Sequence, residues 1–376
     1  MKTRITYGIS RDQSQGNGMK HSAYRSAGRE RKSSLIELEV TEGLEALSLA
    51  EVKQILGNAV TRIEAAGAGA VTFHYTGDLS RLASLNLSSA AYNVVSFPVT
   101  RPKALLGDQN WRMLVAVVQE VMRASRAPYH SLEISAAGSD SGVMRRIAAA
   151  LSEAVQLPAA DDKGDLLVRI RRSRTVQGWD VLVRTTPRPT SVRAWRVCNR
   201  EGALNGPAAY AMNMLTEPVP SDVVVNLGCG SGSLLIERFR CMPADGLIGI
   251  DSDWGALACC RENVAASGIG SIHLTAADMT ETPLRSQSCD VILADLPFGN
   301  LVGSHQENRS LYPAMLAEAA RLARPAARLA LITHEIRLIE DAFAHSPWQI
   351  TKSIRISLRG LHPRIYLAVM PHARRE

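Results

Sequence analysis

Residues 223–233 read Val-Val-Val-Asn-Leu-Gly-Cys-Gly-Ser-Gly-Ser, an apolar run that passes into a glycine-rich segment. The β-branched residues predict a short buried strand, and the apolar residues at 234–239 predict a helix directly after the turn. Glycines at 228, 230 and 232 allow the backbone to turn sharply and to approach a ligand at the helix N-terminus. Several kinds of nucleotide-binding enzyme share this spacing, so the segment by itself predicts only an α/β fold with a nucleotide-like ligand.

Two further predicted strands lead to acidic residues. The strand at 247–250 ends in Asp251, whose carboxylate can accept hydrogen bonds from both hydroxyls of a ribose. The strand near 272–275 leads to Asp278, which is placed to contact an adenine amine. Because doubly wound sheets bind ligands at the carboxyl ends of their strands, we expect both acids to lie beside the glycine-rich turn.

The next apolar run, residues 291–293, continues into Ala-Asp-Leu-Pro-Phe-Gly-Asn at 294–300. A carboxylate, a rigid proline and an aromatic ring at a strand end suit a site that holds a flat base by its exocyclic amine. We expect Asp295 to bind that amine or take up its proton, and Pro297 to fix the turn. Phe298 is predicted to stack on the base, and the alternative for this ring is a place in the core.

The polar segment 300–311 is predicted to be a loop, and Gly303 within it suits a lid over the site. His305, Asn308 and Tyr312 are candidates for contacts with the substrate. A base inside a duplex cannot reach a pocket of this kind, so the target base is expected to be flipped out or unpaired.

The positive charge of the chain is concentrated. The net charge is +7, residues 166–200 hold nine arginines against one acid, and residues 201–376 are slightly acidic. In the predicted strand 166–172, Arg169 and Arg171 fall on one face and form a stripe. Such a stripe predicts contact with nucleic acid, and the alternative is a solvated basic face. The arginines assigned to this contact are Arg169, Arg171, Arg172, Arg174 and Arg184.

The order of predicted elements divides the chain into five segments. Strand-helix-strand-strand-helix-strand order over the first structured part predicts a ferredoxin-like unit, and a second small α+β unit follows it. Two prolines at 187 and 189 predict a linker. The predicted segments are a disordered basic tail at 1–34, a ferredoxin-like domain at 35–108, an RNA-binding unit at 109–188, a linker at 189–206 and a doubly wound catalytic domain at 207–376.

Composition bounds the class of protein. A chain of 376 residues with 46% hydrophobic and 21% charged residues is expected to be globular, with two or three domains. No apolar run is long enough for a membrane span, so a soluble monomer is expected. The six cysteines form no Cys-x-x-Cys pair, and we expect them to be reduced core thiols of a cytoplasmic protein without a metal site.

Several motifs resemble those of one family. Residues 228–232 resemble the S-adenosylmethionine-binding loop of class I methyltransferases, and residues 295–299 resemble the Asp/Asn-Pro-Pro-Phe/Tyr motif of enzymes that methylate exocyclic amines. Leucine at 296, in place of the first proline, is similar to the THUMP-domain RNA guanine-N2 methyltransferases, the TrmN-like group. Residues 193–205 resemble that family's interdomain junction, and residues 358–366 resemble its closing hairpin.

The resemblance implies a Rossmann-like class I methyltransferase domain with a seven-stranded sheet, preceded by ferredoxin-like and THUMP-like parts. It implies S-adenosylmethionine as cofactor and methylation of guanosine N2 in tRNA, in the acceptor stem. The alternatives are a ribosomal-RNA guanine-N2 or adenine-N6 methyltransferase and an inactive RNA-binding protein. The sequence departs from the family at Asn226, where many relatives carry an acid. The resemblance assigns catalysis to Asp295, Leu296, Pro297 and Phe298, and cofactor binding to Asn226, Gly228, Cys229, Gly230, Gly232, Asp251, Ser252, Asp278, Met279 and Asp295.

Overall fold

The computed structural model describes residues 33–160, 163–270, 272–297, 305–358 and 360–372. Its strands form two seven-stranded sheets, one in each half of the chain. The predicted basic tail lies outside the described residues except for Ser33 and Ser34.

The first half of the chain builds a mixed sheet with helices on one face. Its elements are β1 (Ser34–Val40), α1 (Glu45–Leu56), β2 (Val60–Gly67), β3 (Ala70–Tyr75), β4 (Ser88–Phe97), α2 (Asp108–Ala124), β5 (Leu132–Ala136), α3 (Gly142–Val155), β6 (Leu166–Arg172) and β7 (Trp179–Arg184). The strand order is β2-β3-β1-β4-β7-β6-β5. Because β4 pairs with β7, the strands on both sides of the predicted boundary at 108 share one sheet, and the boundary itself stays a prediction.

Alternation along β6 explains how this sheet packs. Leu166, Val168 and Ile170 are almost completely buried and belong to the core beneath the helices. Arg169 and Arg171 therefore emerge on the other face, as the sequence predicts. The second helix in the predicted strand-helix-strand-strand-helix-strand order is a 3-10 helix, Leu79–Ser84.

The second half of the chain builds a mainly parallel sheet. Its elements are α4 (Gly206–Leu215), β8 (Val223–Leu227), α5 (Ser233–Cys241), β9 (Gly246–Asp251), α6 (Trp254–Ser267), β10 (His273–Ala276), β11 (Cys289–Asp295), α7 (His305–Leu322), β12 (Ala323–Thr333), α8 (Ile336–Ala344), β13 (Gln349–Arg355) and β14 (Arg364–Val369). The order is β10-β9-β8-β11-β12-β14-β13, with β14 antiparallel to its two neighbours. This sheet confirms the doubly wound α/β fold predicted for the second half, while the ferredoxin-like and THUMP-like parts of the first half stay a prediction.

The apolar run before Asp295 forms a strand that packs into the cores on both faces of the sheet. Val291 and Leu293 pack into the core on one face of the sheet, and Ile292 and Ala294 pack into the core on the other. A strand buried on both faces needs a continuous apolar sequence, which is what residues 291–294 supply.

The prediction of a loop over residues 300–311 is wrong from His305 onward. Helix α7 begins there and buries Asn308, Tyr312 and Met315 against the sheet. The segment looked like a loop because the exposed face of the helix is polar. Residues 298–304, which include Phe298 and Gly303, lie outside the described residues.

A buried ion pair joins the two halves. Arg193 Nε lies 2.8 Å from Glu237 Oε1 in the second half, and Arg193 Nη2 donates to the Asn86 carbonyl in the first half at 2.8 Å. Trp195 Nε1 also donates to Glu237, at 3.1 Å. The side chains of Arg193 and Glu237 are 5% and 0% exposed, so this part of the predicted linker is fixed to both halves.

Two of the cysteines are not reduced thiols, contrary to the prediction. Cys198 and Cys259 form a disulfide with their Cα atoms 5.4 Å apart. They are 61 residues apart in the sequence, so spacing along the chain gave no sign of the pairing. The other four cysteines are free thiols. Among the described residues, no helix is long and apolar enough to cross a bilayer.

Candidate active site

The glycine-rich turn after β8 depends on its glycines. Gly228, Gly230 and Gly232 have φ values of +67°, +53° and +84°, in the left-handed region that residues with a side chain rarely adopt. A Cβ atom on Gly232 would lie 2.6 Å from the sulfur of Cys260, and one on Gly228 would lie 2.7 Å from the methyl carbon of Met279. Conformation therefore favours glycine at all three positions, and space favours it at Gly228 and Gly232 as well.

Hydrogen bonds connect this turn to the end of β9. The amide of Cys229 donates to the carbonyl of Ile250 at 2.8 Å, and the amide of Gly230 donates to the carboxylate of Asp251 at 2.8 Å. The second Asp251 oxygen accepts from the amide of Asp253 at 2.9 Å. Asp251 is thus beside the glycine-rich turn, as the sequence predicts, and each carboxylate oxygen retains a lone pair for a ligand hydroxyl.

Two buried polar atoms near the turn lack a partner among the described residues. They are Oδ1 of Asn226 and Oγ of Ser231, whose residues are 1% and 3% exposed. The Asn226 amide nitrogen donates to the Leu293 carbonyl at 3.1 Å, which ties β8 to β11. Buried polar atoms are normally hydrogen-bonded, so this end of the sheet fits a ligand that carries amino and hydroxyl groups.

The other residues assigned to the cofactor lie around the same edge. Met279 covers Gly228, while Ser252 and Asp278 are exposed at the ends of their strands. One Asp278 oxygen accepts from the amide of Thr280 at 2.8 Å. The thiol of Cys229 is buried and forms a hydrogen bond with the thiol of Cys260. This hydrogen bond and burial both raise the pKa of Cys229.

Asp295 is the last residue of β11, at the same edge of the sheet as the glycine-rich turn. Its side chain is half-buried, and burial raises the pKa of its carboxyl to about 7. A carboxylate with this pKa is balanced between accepting and releasing a proton near neutral pH. The two residues that follow are Leu296, whose side chain is buried in the core, and Pro297.

Helix α7 contacts the backbone of this motif. The hydroxyl of Tyr312 lies 2.8 Å from the Pro297 carbonyl oxygen, and the side-chain amide of Asn308 donates to the same oxygen at 3.1 Å. The sequence prediction named both residues as substrate contacts, and the structure shows them behind the motif instead. His305 is exposed, with Nδ1 3.0 Å from the Glu335 carboxylate.

The five arginines assigned to nucleic acid differ in their surroundings. Arg171 makes a two-pronged contact with Glu37 at 2.7 and 2.5 Å, and Arg169 lies 3.3 Å from Glu39. Arg184 is buried, and its guanidinium donates to backbone carbonyls, including that of Pro187 at 2.7 Å.

The remaining two arginines are the most accessible. Arg172 stacks on Trp179, with 4.3 Å between its guanidinium carbon and the ring centre, and Arg174 donates to the Ala66 carbonyl at 3.3 Å. Neither contact neutralises the charge. Arg172 and Arg174 therefore keep more of their field for an external anion than Arg171 or Arg184 does.

Residues 193–364 match the family described as the RMKL-like methyltransferase domain. The crystal structure of TrmN from Thermus thermophilus superposes with a TM-score of 0.71 at 22% identity, over 90% of this chain and 99% of that one. At this level of identity the superposition shows a shared fold.

Two relatives extend the comparison. The chain is 32% identical over 184 residues to the "tRNA (guanine(6)-N(2))-methyltransferase THUMP3" of Mus musculus, and the match covers 44% of this chain and 35% of that protein. It is 27% identical over 251 residues to the "tRNA (guanine(6)-N2)-methyltransferase" of Thermus thermophilus, over 66% of this chain and 70% of that protein. The chain thus spans about a third of the length of the mammalian relative.

The methyl donor of a class I methyltransferase domain is S-adenosylmethionine. The residues present fit this molecule: the glycine-rich turn admits a close backbone approach, Asp251 offers acceptors for ribose hydroxyls, and Asn226 Oδ1 needs a donor. Among the described residues, no group of histidine, cysteine or acidic side chains could hold a metal ion.

Proposed function

We propose that the protein transfers the methyl group of S-adenosylmethionine to the exocyclic N2 amine of a guanosine in the acceptor stem of a tRNA, which gives N2-methylguanosine. The observation that carries this proposal is the position of the Asp295 carboxyl, at the end of β11 and beside the glycine-rich turn that follows β8, where burial raises its pKa to about 7. The names of the two relatives agree with the amine and the RNA class.

The chemistry needs placement more than activation. The methyl group of the donor is already reactive, so the protein has to bring the amine nitrogen in line with it, and such positioning can lower a barrier by several kcal/mol. The nitrogen lone pair of guanine N2 is delocalised into the ring. Hydrogen bonds from the amine to Asp295 and to the Leu296 carbonyl favour a more tetrahedral, nucleophilic nitrogen.

Asp295 also suits the removal of the proton. Methyl transfer leaves a positively charged nitrogen, and a carboxylate that is ionised at the working pH accepts its proton directly or through water. In this proposal Pro297 fixes the turn and Phe298 stacks on the flipped base. Phe298 lies outside the described residues, so its role rests on the sequence.

The first half of the chain supplies the grip on RNA in this proposal. We assign its sheet to a ferredoxin-like part and a THUMP-like part, with the exposed Arg172 and Arg174 as the principal phosphate contacts and Arg169 beside them. Contacts of this kind fix register and orientation, while the methylated base is chosen by the pocket. The protein is placed in the cytoplasm as a monomer, and cell fractionation and sedimentation test these two assignments.

The proposal is tested with labelled S-adenosylmethionine and two acceptors, unmodified tRNA and a ribosomal-RNA fragment. Label is expected in tRNA and not in the ribosomal fragment. The Asp295→Asn variant is expected to lose the transfer, whereas Asp341→Asn, which removes an exposed carboxylate on α8, is expected to keep it. Full activity of Asp295→Asn would contradict the assigned mechanism, and label in ribosomal RNA alone would contradict the acceptor.

A further inference from the structure

A chain of buried hydrogen bonds lies behind the Asp295–Pro297 motif. The Tyr312 hydroxyl contacts the Pro297 carbonyl oxygen at 2.8 Å and the Thr333 hydroxyl at 2.7 Å. The Asn308 side-chain amide donates to the same carbonyl at 3.1 Å. Asn308, Tyr312 and Thr333 are all 0% exposed, so water does not compete for these bonds.

The direction of the chain follows from the atoms. A carbonyl oxygen only accepts, and a tyrosine hydroxyl carries one proton, so Tyr312 donates to Pro297 and accepts from Thr333. The Thr333 oxygen in turn accepts from the backbone amide of Glu335 at 3.0 Å. Each bond polarises the next in such a chain, which makes the last donor, Tyr312, a strong one.

Two donors on one carbonyl oxygen fix the orientation of the Pro297 peptide group. The proline ring already fixes φ at this residue, so little rotational freedom remains between its carbonyl and the preceding Leu296 carbonyl. On the other side, the Leu296 amide donates to the Ile332 carbonyl at 3.1 Å and extends the pairing of β11 with β12. The motif is therefore clamped from α7 and from β12 at once.

We propose that Tyr312 and Asn308 are positioning residues, which act on methyl transfer by holding the Pro297 carbonyl and thereby aiming the Leu296 carbonyl and Asp295 at the amine. This inference rests on the proposed function. It replaces the sequence-based prediction that the two side chains touch the substrate. Burial, together with the nearby charges of Glu335 and Asp295, raises the pKa of the Tyr312 phenol to about 12.

The test is Tyr312→Phe, which removes the donor and keeps the ring. We expect kcat for methyl transfer to fall by about 10- to 100-fold, because a displaced acceptor loses the in-line geometry. KM for RNA and Kd for S-adenosylmethionine are expected to change by less than about twofold, since neither ligand touches the hydroxyl. Asn308→Leu is expected to lower kcat in the same way.

Tyr366→Phe is the matched control. Tyr366 is 1% exposed, lies in the same core, and donates its hydroxyl to Glu340 at 2.8 Å, away from Pro297. Tyr312→Phe loses two hydrogen bonds and Tyr366→Phe loses one, so both melting temperatures should fall, that of Tyr312→Phe by more, while kcat should fall only in Tyr312→Phe. Thr333→Val leaves the hydrogen bond from Tyr312 to the Pro297 carbonyl in place, so it should lower kcat less than Tyr312→Phe does.

A measurement without substrate completes the test. Hydrogen exchange of the Leu296 amide should become at least about tenfold faster in Tyr312→Phe and remain unchanged in Tyr366→Phe. Equal exchange rates and equal kcat values in the two variants would overturn the proposal. A rise in KM for RNA at unchanged kcat would also overturn it, because that result would indicate direct contact with the substrate. A wild-type product other than N2-methylguanosine would overturn the proposed function, while the comparison of the two variants on exchange would still decide the positioning role.

Discussion

At the scale of the residue, Asp295 is the group to which we assign the chemistry. Its carboxyl is half-buried at a strand end, and burial raises its pKa to about 7. The two oxygens of Asp251, by contrast, accept hydrogen bonds from backbone amides. We therefore propose different roles for two carboxylates at the same sheet edge, Asp295 as a proton acceptor and Asp251 as a residue that binds the cofactor. Sequence position predicted both assignments, because each acid ends a strand next to β8.

The pH dependence of catalysis follows from this pKa. Methyl transfer needs the ionised form of Asp295, so kcat/KM should rise with pH through about 7 and level off above it. Asp295→Asn should lower kcat by about 100- to 10,000-fold at pH 8 and remove this rise. Steady-state rates between about pH 5.5 and about pH 9 check both points. A pH-independent wild-type profile would contradict the role of Asp295.

The same pKa affects stability. Because the folded pKa of Asp295 lies above that of an exposed aspartate, folding favours the protonated carboxyl. The contribution of this pKa shift to the free energy of unfolding is complete below about pH 4 and is lost as the pH rises through about 7. Asp295→Asn should therefore stabilise the protein at pH 8 by an amount on the order of 2 kcal/mol, and by almost nothing at pH 4. Denaturant unfolding at the two pH values, with Asp341→Asn alongside, measures the difference.

At the scale of the element, the turn between β8 and α5 shapes the proposed cofactor site. Its glycines adopt positive φ values, and the space beside Gly228 and Gly232 is filled by Met279 and Cys260. A side chain on either glycine would have to displace the neighbouring side chain, and it would also strain the backbone. The fold therefore depends on these positions through both local conformation and packing.

Gly232→Ala tests this dependence. We expect it to lower the free energy of unfolding by about 1–3 kcal/mol and to raise Kd for S-adenosylmethionine at least about tenfold. Gly268→Ala is the control, because Gly268 also has a positive φ of +72° but has open space beside it. The control should lose stability through backbone strain alone and keep its Kd, as measured by calorimetric titration. Equal Kd values for both variants would contradict the packing argument.

The sequence predicted the helices and strands well, but it predicted poorly which residues far apart in the chain contact one another. Strand β6 falls where its alternating pattern places it, at Leu166–Arg172, because its two faces meet different surroundings. Helix α7 was missed because only one side of it is apolar. The Cys198–Cys259 disulfide and the Tyr312–Thr333 contact join residues that come together only in the folded chain, so spacing carried no signal for them.

At the scale of the whole molecule, the two sheets divide the work that we propose. The second half holds the cofactor turn and Asp295, and the first half carries the arginine stripe. The charge pattern predicted this division. It did not predict that Glu37 and Glu39 would partner Arg171 and Arg169, because these acids come from β1, about 130 residues earlier in the sequence.

Replacement of both Arg172 and Arg174 by Glu should weaken tRNA binding by at least about tenfold in 0.1 M salt and reduce the salt dependence of binding. Kd for S-adenosylmethionine should stay the same. Lys53→Glu with Arg112→Glu is the control, since it makes the same change of charge on exposed positions of α1 and α2. The affinity for tRNA is measured by filter binding over a salt series. An equal loss of affinity in the two double variants would mean that net charge, and not the position of Arg172 and Arg174, causes the effect.

The central claim is that the methyl group goes to the N2 amine of guanosine. The most direct measurement is the identity of the modified nucleoside after incubation of the protein with unmodified tRNA and isotope-labelled S-adenosylmethionine, with digestion and mass spectrometry of the products. N2-methylguanosine that carries the label is the predicted result. N6-methyladenosine in its place, or no labelled nucleoside at all, would contradict the account.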